Sequence, residues 1–207
     1  LSQYFDELCR AMAMLAEDPR TVFMGQAVAC EGTAMSKTFR DVPVDRLVEL
    51  PVAEDMQMGM AIGASLAGLR PVCCYPRINF LLLAINQLVL HLDKLPLYSN
   101  YRPRVIVRTS IATPEPLHPG EQHLGDFTDA IRNMLRTVKV VRLEVPDQIA
   151  QEYRTARRYW LNGWGDTDAA EMETPDRIFI VGLGGAPSDR ARHRLRSFHA
   201  GRGGRGV

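Results

Sequence analysis

Residues 49–80 read ELPVAEDMQMGMAIGASLAGLRPVCCYPRINF, and the order of features in this stretch decides the fold class. The short apolar run Leu47 to Val52 predicts a buried strand that ends in a turn at Pro51. Glu54 follows at the mouth of a helix expected from Met56 to Leu69. In that helix Gly59, Gly63 and Gly68 stand among Met56, Met60, Ala61 and Ala64, a composition that lets a helix lie close to neighbouring backbone. Gly68 and Pro71 close it, Val72 to Tyr75 predicts the next strand, and Pro76 to Phe80 the loop beyond its carboxyl end. The succession predicts an α/β fold, a parallel sheet flanked by helices on both faces, and ligands of open α/β sheets bind beyond such strand ends.

Glu54 has two readings. As a carboxylate in a first helical turn it stabilises the exposed amides and the positive end of the helix dipole. As an acid set among Met, Val and Ile it can share a proton with a ligand nitrogen. Spacing alone leaves both open.

Five short patterns occur in register: Pro51-Val52-Ala53-Glu54, Gly59-Met60-Ala61-Ile62-Gly63-Ala64, Ala67-Gly68-Leu69-Arg70-Pro71, Asn79-Phe80 and Asn86-Gln87, with Gln122-His123 further on. Together they resemble the pyrimidine-binding domain of thiamine-diphosphate enzymes in the transketolase-like superfamily. The resemblance is strongest to the β-subunit of the decarboxylating component of 2-oxoacid dehydrogenases, over roughly residues 20 to 155. It implies that Glu54 bonds the ring nitrogen of the aminopyrimidine and that Phe80 stacks on that ring, while His123 faces the reaction centre. Val52, Met56 and Leu50 would keep the site dry. Gln26, after Gly25, stands where the family usually has Gly-Glu; an amide there hydrogen-bonds but carries no proton. Leu124-Gly125 replaces the family's polar Ser-Gln, which bears on the choice of substrate or partner.

The family holds its diphosphate through Mg²⁺ on a Gly-Asp-Gly motif followed by an Asn-Asn or similar pair. Here Gly165-Asp166 is followed by Thr167, and no such pair comes after. The resemblance therefore implies half a site, with thiamine diphosphate and Mg²⁺ completed by an α-type subunit in an α2β2-like assembly acting on a 2-oxoacid. A split transketolase-like carboligase subunit and a noncatalytic truncated partner subunit are the alternatives.

The rest of the chain accommodates this frame. Ser2 to Glu17 repeats Phe5, Leu8, Ala11, Met12 and Leu15 at helical spacing. Thr21 to Ala29 predicts a strand breaking at Gly25, Phe80 to Leu92 a helix apolar nearly all round, and Arg104 to Arg108 a strand. The long Pro- and Gly-rich loop after it carries His118 and His123. Asp126 to Leu135, Val138 to Leu143 and Asp147 to Arg158 predict helix, strand and helix. The expected organisation is a pyrimidine-binding domain over 1–158, a linker with a possible extra strand at Ile178 to Val181 over 159–190, and a disordered Gly/Arg tail over 191–207.

Hydrophobic content of 46%, charged content of 24% and a formal net charge of +1 are those of a folded domain and give no reason to expect nucleic acid or a membrane surface as partner. Cys73 and Cys74 are adjacent, so on a strand they point to opposite faces and form no redox or zinc pair. Reduced, buried thiols and the absence of a secretory pattern or bilayer-length apolar run lead to an expectation of a cytoplasmic protein.

Overall fold

The computed structural model describes residues 3–114, 118–161 and 178–183. Six strands are present there: β1 (Thr21–Gly25), β2 (Leu47–Glu49), β3 (Arg70–Cys74), β4 (Ile106–Ile111), β5 (Lys139–Leu143) and β6 (Ile178–Leu183). They form one sheet in the order β2-β1-β3-β4-β6-β5, with every neighbouring pair parallel. Alternation along the strands supplies two cores, one on each face. Phe23, Val72, Cys74 and Ile106 point to the side covered by α1 (Gln3–Ala16) and α6 (Pro146–Leu161), together with Met12, Leu15, Tyr153 and Trp160. Met24, Cys73 and Val107 point to the other side, against Met58, Ala61 and Ile62 of α2 (Glu54–Leu66). Cys73 and Cys74 thus separate as the alternation requires, and burial pushes their thiols up to about 11 and about 12. Cys9 is buried as well, whereas Cys30 is exposed on the turn after β1, where the loop backbone gives it no apolar cover.

Helix α2 begins at Glu54 rather than Met56, with Glu54 and Asp55 in its first turn. It ends in a Schellman turn: Gly68, at φ +92°, donates to the Ser65 carbonyl and Leu69 to that of Ala64. The apolar stretch after β3 is not one regular helix. It runs as a turn of α-helix, α3 (Ile78–Leu81), a 3-10 turn (Leu82–Ala84) and a π turn (Gln87–Leu92), then α4 (Leu95–Tyr98), with a 67° bend. Helix α5 (Thr128–Met134) precedes β5. Among the described residues no single helix is long and apolar enough to cross a membrane.

Two buried carboxylates tie the elements together. Asp18 accepts from Arg20 and pairs with buried Arg70 at 2.8 Å, fixing the start of β3 beside the start of β1. Asp93 accepts the backbone N–H groups of Arg136, Thr137 and Val138 at 2.6–3.0 Å and pairs with Lys94, joining the end of the π turn to the approach to β5. The apolar run Ile178 to Val181 does form a strand, and β6 lies between β4 and β5, so the sheet draws on chain beyond residue 158. The expected linker over 162–177 and the Gly/Arg tail lie outside the described residues.

Candidate active site at the carboxyl ends of the strands

Strand β1 ends where it must come closest to β3. Gly25 has φ +141°, and a Cβ there would lie 2.2 Å from the Cys74 carbonyl oxygen and 2.7 Å from Gln57 Nε2. Only glycine fits this crossing. The same carbonyl accepts from the Gln26 backbone N–H at 3.3 Å and from Gln57 Nε2 at 2.8 Å, and Leu50 donates to the Gly25 carbonyl at 2.8 Å. The carboxyl ends of β1, β2 and β3 and the first turn of α2 are thereby laced into one floor.

Glu54 stands on that floor at 5% exposure. Its backbone carbonyl accepts from the Tyr75 hydroxyl at 3.0 Å, and its carboxylate has no hydrogen-bond or ion-pair partner among the described residues. Burial pushes the Tyr75 phenol far above its ordinary value, so it remains a proton donor throughout the physiological range. Gln26 is buried with Nε2 unpartnered, and Gln57 is buried with Oε1 unpartnered. The turn that carries Gln26 is held from β2: the Glu49 carboxylate accepts the N–H groups of Ala27, Val28, Ala29 and Cys30 at 2.7, 2.8, 2.7 and 3.2 Å. Ala27 takes φ +58°, which lets these successive amides converge on the Glu49 carboxylate.

Phe80 in α3 and His123 in the 3-10 turn Glu121–His123 form a second group, their ring centroids 5.5 Å apart at 52°. His123 Nδ1 and Asn79 Oδ1 are buried without hydrogen-bond partners. Val52 and Met56, expected to help keep the site dry, stand 79% and 46% exposed. In the chain by itself they form an open rim, so dryness needs a second surface laid over them. Sequence reasoning misses Glu49, Tyr75 and Gln57, whose contacts reach across 17 to 22 residues. Gln57 alone leaves a local signal, a glutamine on the inward face of α2.

The pattern that defines the transketolase pyrimidine-binding domain matches residues 7–161. The chain belongs to this family. Curated relatives include pyruvate dehydrogenase E1 component subunit beta from Staurastrum punctulatum, 43% identical over 74 residues that cover 34% of this chain and 23% of that protein. The same subunit from Chaetosphaeridium globosum is 35% identical over 99 residues, covering 45% and 30%. The mitochondrial subunit from Caenorhabditis elegans is 38% identical over 88 residues, covering 41% and 25%. The matched stretch is thus less than a third of these relatives. Among solved structures, a split-gene transketolase described as an inactive beta4 tetramer superposes with a TM-score of 0.60 at 19% identity, over 88% of this chain and 52% of that one. That likeness establishes the shared pyrimidine-domain fold.

The residues present fit an aminopyrimidine. Glu54 offers a carboxylate with nothing bound to it, Phe80 a half-buried aromatic face beside His123, and Gln26 an unused donor. Among the described residues no group of three or more His, Cys, Asp or Glu converges to hold a metal ion, and Gly165-Asp166 lies outside them.

Proposed function

We propose that this chain is the β-like, pyrimidine-side subunit of a heteromeric thiamine-diphosphate-dependent 2-oxoacid decarboxylating dehydrogenase, active with an α-type partner that holds the diphosphate and Mg²⁺. The observation that carries this reading is the Glu54 carboxylate, buried at the carboxyl edge of the sheet and free of any partner among the described residues. The other two carboxylate residues that are buried among the described residues, Asp18 and Asp93, are both paired.

The cofactor, when bound, supplies the electron sink for loss of carbon dioxide from a 2-oxoacid. This chain's residues prepare it. Glu54 holds or shares a proton at the ring nitrogen, Phe80 supports one face of the ring, and His123 positions substrate or moves a proton at its carbonyl oxygen. Val52 and Met56, once covered by the partner, exclude water and strengthen the Glu54 bond.

Calorimetric titration of thiamine diphosphate with Mg²⁺ tests the reading. Weak or no binding is expected for the chain alone and tight, Mg²⁺-dependent binding with the α-type partner. Failure to bind with that partner present would leave the noncatalytic reading, which Gln26 in place of an acid favours. A split transketolase-like carboligase would bind the cofactor equally and transfer a two-carbon unit between sugars instead of decarboxylating a 2-oxoacid.

A further inference from the structure

The opposite pole of the sheet carries a second concavity. It is an open groove of about 450 Å³ between the carboxyl end of α2 (Ser65, Gly68, Leu69) and the segment Asn100, Tyr101, Arg102 and Arg104 that leads into β4. It opens at the amino-terminal ends of β3 and β4, whereas Glu54, Phe80 and His123 stand beyond carboxyl ends. The volume lies within the ~300–1,000 Å³ typical of small-molecule sites.

Its walls are fixed. Ser65 is buried, accepts the Arg104 backbone N–H on Oγ at 2.6 Å, and accepts the Tyr101 hydroxyl on its carbonyl at 2.6 Å. Arg102 closes the loop by donating to the carbonyls of Pro96, Ser99 and Tyr101 at 2.9–3.3 Å. The Arg104 side chain is not used in this way. It lines the concavity and finds no carboxylate or other acceptor among the described residues. Behind it lies the fully buried Arg70, whose Nε is also without an acceptor. Burial first, and then the charges of Arg20 and Arg104, lower the Arg70 guanidinium to about 10 against the opposing pull of Asp18. Asp18 is the carboxylate acting there, and it is already divided between Arg20 and Arg70. The lining of the concavity itself includes two arginines, Arg102 and Arg104, and no carboxylate.

We propose that this concavity is a binding site for a small organic phosphate, its phosphate on the Arg104 fork and its carbon part against Leu69 and the Tyr101 ring. A guanidinium fork takes a phosphate through two parallel hydrogen bonds, and a bare inorganic ion would leave most of the space unfilled. The inference is independent of the thiamine-diphosphate reading, since no residue is shared between the two sites.

Calorimetry on the full chain with adenosine 5′-monophosphate, inorganic phosphate and adenosine as probes tests it. The monophosphate is expected to bind more tightly than phosphate and to weaken as NaCl is raised, with adenosine silent. Arg104→Ala should lose at least ~10-fold in affinity and Arg104→Lys less, because lysine keeps the charge without the fork. The fold should survive both, since the structural bond of Arg104 is made by its backbone; circular dichroism checks this. Glu54→Gln should bind the monophosphate as the parent does. Absence of binding up to about 10 mM monophosphate, or equal affinity in Arg104→Ala, overturns the proposal.

Discussion

A carboxylate on a buried residue, without a partner among the described residues, is the residue-scale feature on which the proposed chemistry turns. Glu54→Gln keeps size and one acceptor but can no longer exchange a proton with a ring nitrogen, so turnover of the assembled enzyme should fall at least ~100-fold with the fold intact. Steady-state kinetics and circular dichroism together check this; near-parental turnover would remove Glu54 from the mechanism. Tyr75 acts one step behind it. Its hydroxyl donates to the Glu54 carbonyl, so Tyr75→Phe should cost about 1 kcal/mol of stability by urea denaturation and weaken cofactor binding by a smaller factor than Glu54→Gln. Glu49 contributes differently again. By gathering four consecutive amides it fixes the turn from which Gln26 reaches the site, although its own side chain never arrives there.

At the scale of elements, the close approach of β1 to β3 and the Asp93 junction make the sharpest claims. Gly25→Ala would set a Cβ against backbone that cannot retreat, and should cost at least ~2 kcal/mol, read as a drop in Tm. For Asp93, burial opposes ionisation, but hydrogen bonds from Lys94, Thr137 and Arg136 outweigh it and hold the carboxyl below its ordinary value. A group whose folded pKa is depressed stabilises the fold above its unfolded pKa, about 3.9, and loses that contribution as pH falls toward the folded value. Stability of the parent should therefore decline below about pH 4, and Asp93→Asn should flatten part of that decline while lowering stability at pH 7. Chemical denaturation across pH checks both signs. These junctions also show what can be read from sequence. Most of the strands and α2 are legible because local periodicity encodes them, whereas Glu54, Phe80 and His123 are singled out only by the family resemblance, since spacing by itself leaves Glu54 open as a helix-end carboxylate. The Asp93 junction, the Glu49 cradle and the Tyr75 bond are not legible, because each joins residues 19 to 45 positions apart and leaves no local pattern. The apolar run after β3 reads as one helix because periodicity registers side chains, while the loss of regular winding at Leu82–Ala84 and Gln87–Leu92 is a property of the backbone.

At the scale of the whole molecule, the rim of the site is unfinished. Val52, Met56, Met60, Leu82 and Leu83 stand exposed beside or near α2. Under the proposed function the α-type partner covers the part nearest Glu54. Met56→Glu should then weaken assembly with that partner at least ~10-fold, measured by sedimentation, and leave the unfolding midpoint of the isolated chain nearly unchanged. Unaltered assembly would place the partner elsewhere.

The position of β6 has a consequence for how the molecule comes to be folded. Strands β4 and β5 are made earlier in synthesis, yet neither is the other's neighbour; both pair with a strand that arrives later. Until residues 178–183 have left the ribosome, two hydrogen-bonding edges stand bare in the middle of a nascent sheet, a condition that invites pairing with other chains. Seating β6 between the two is a non-local step, of the kind that slows folding.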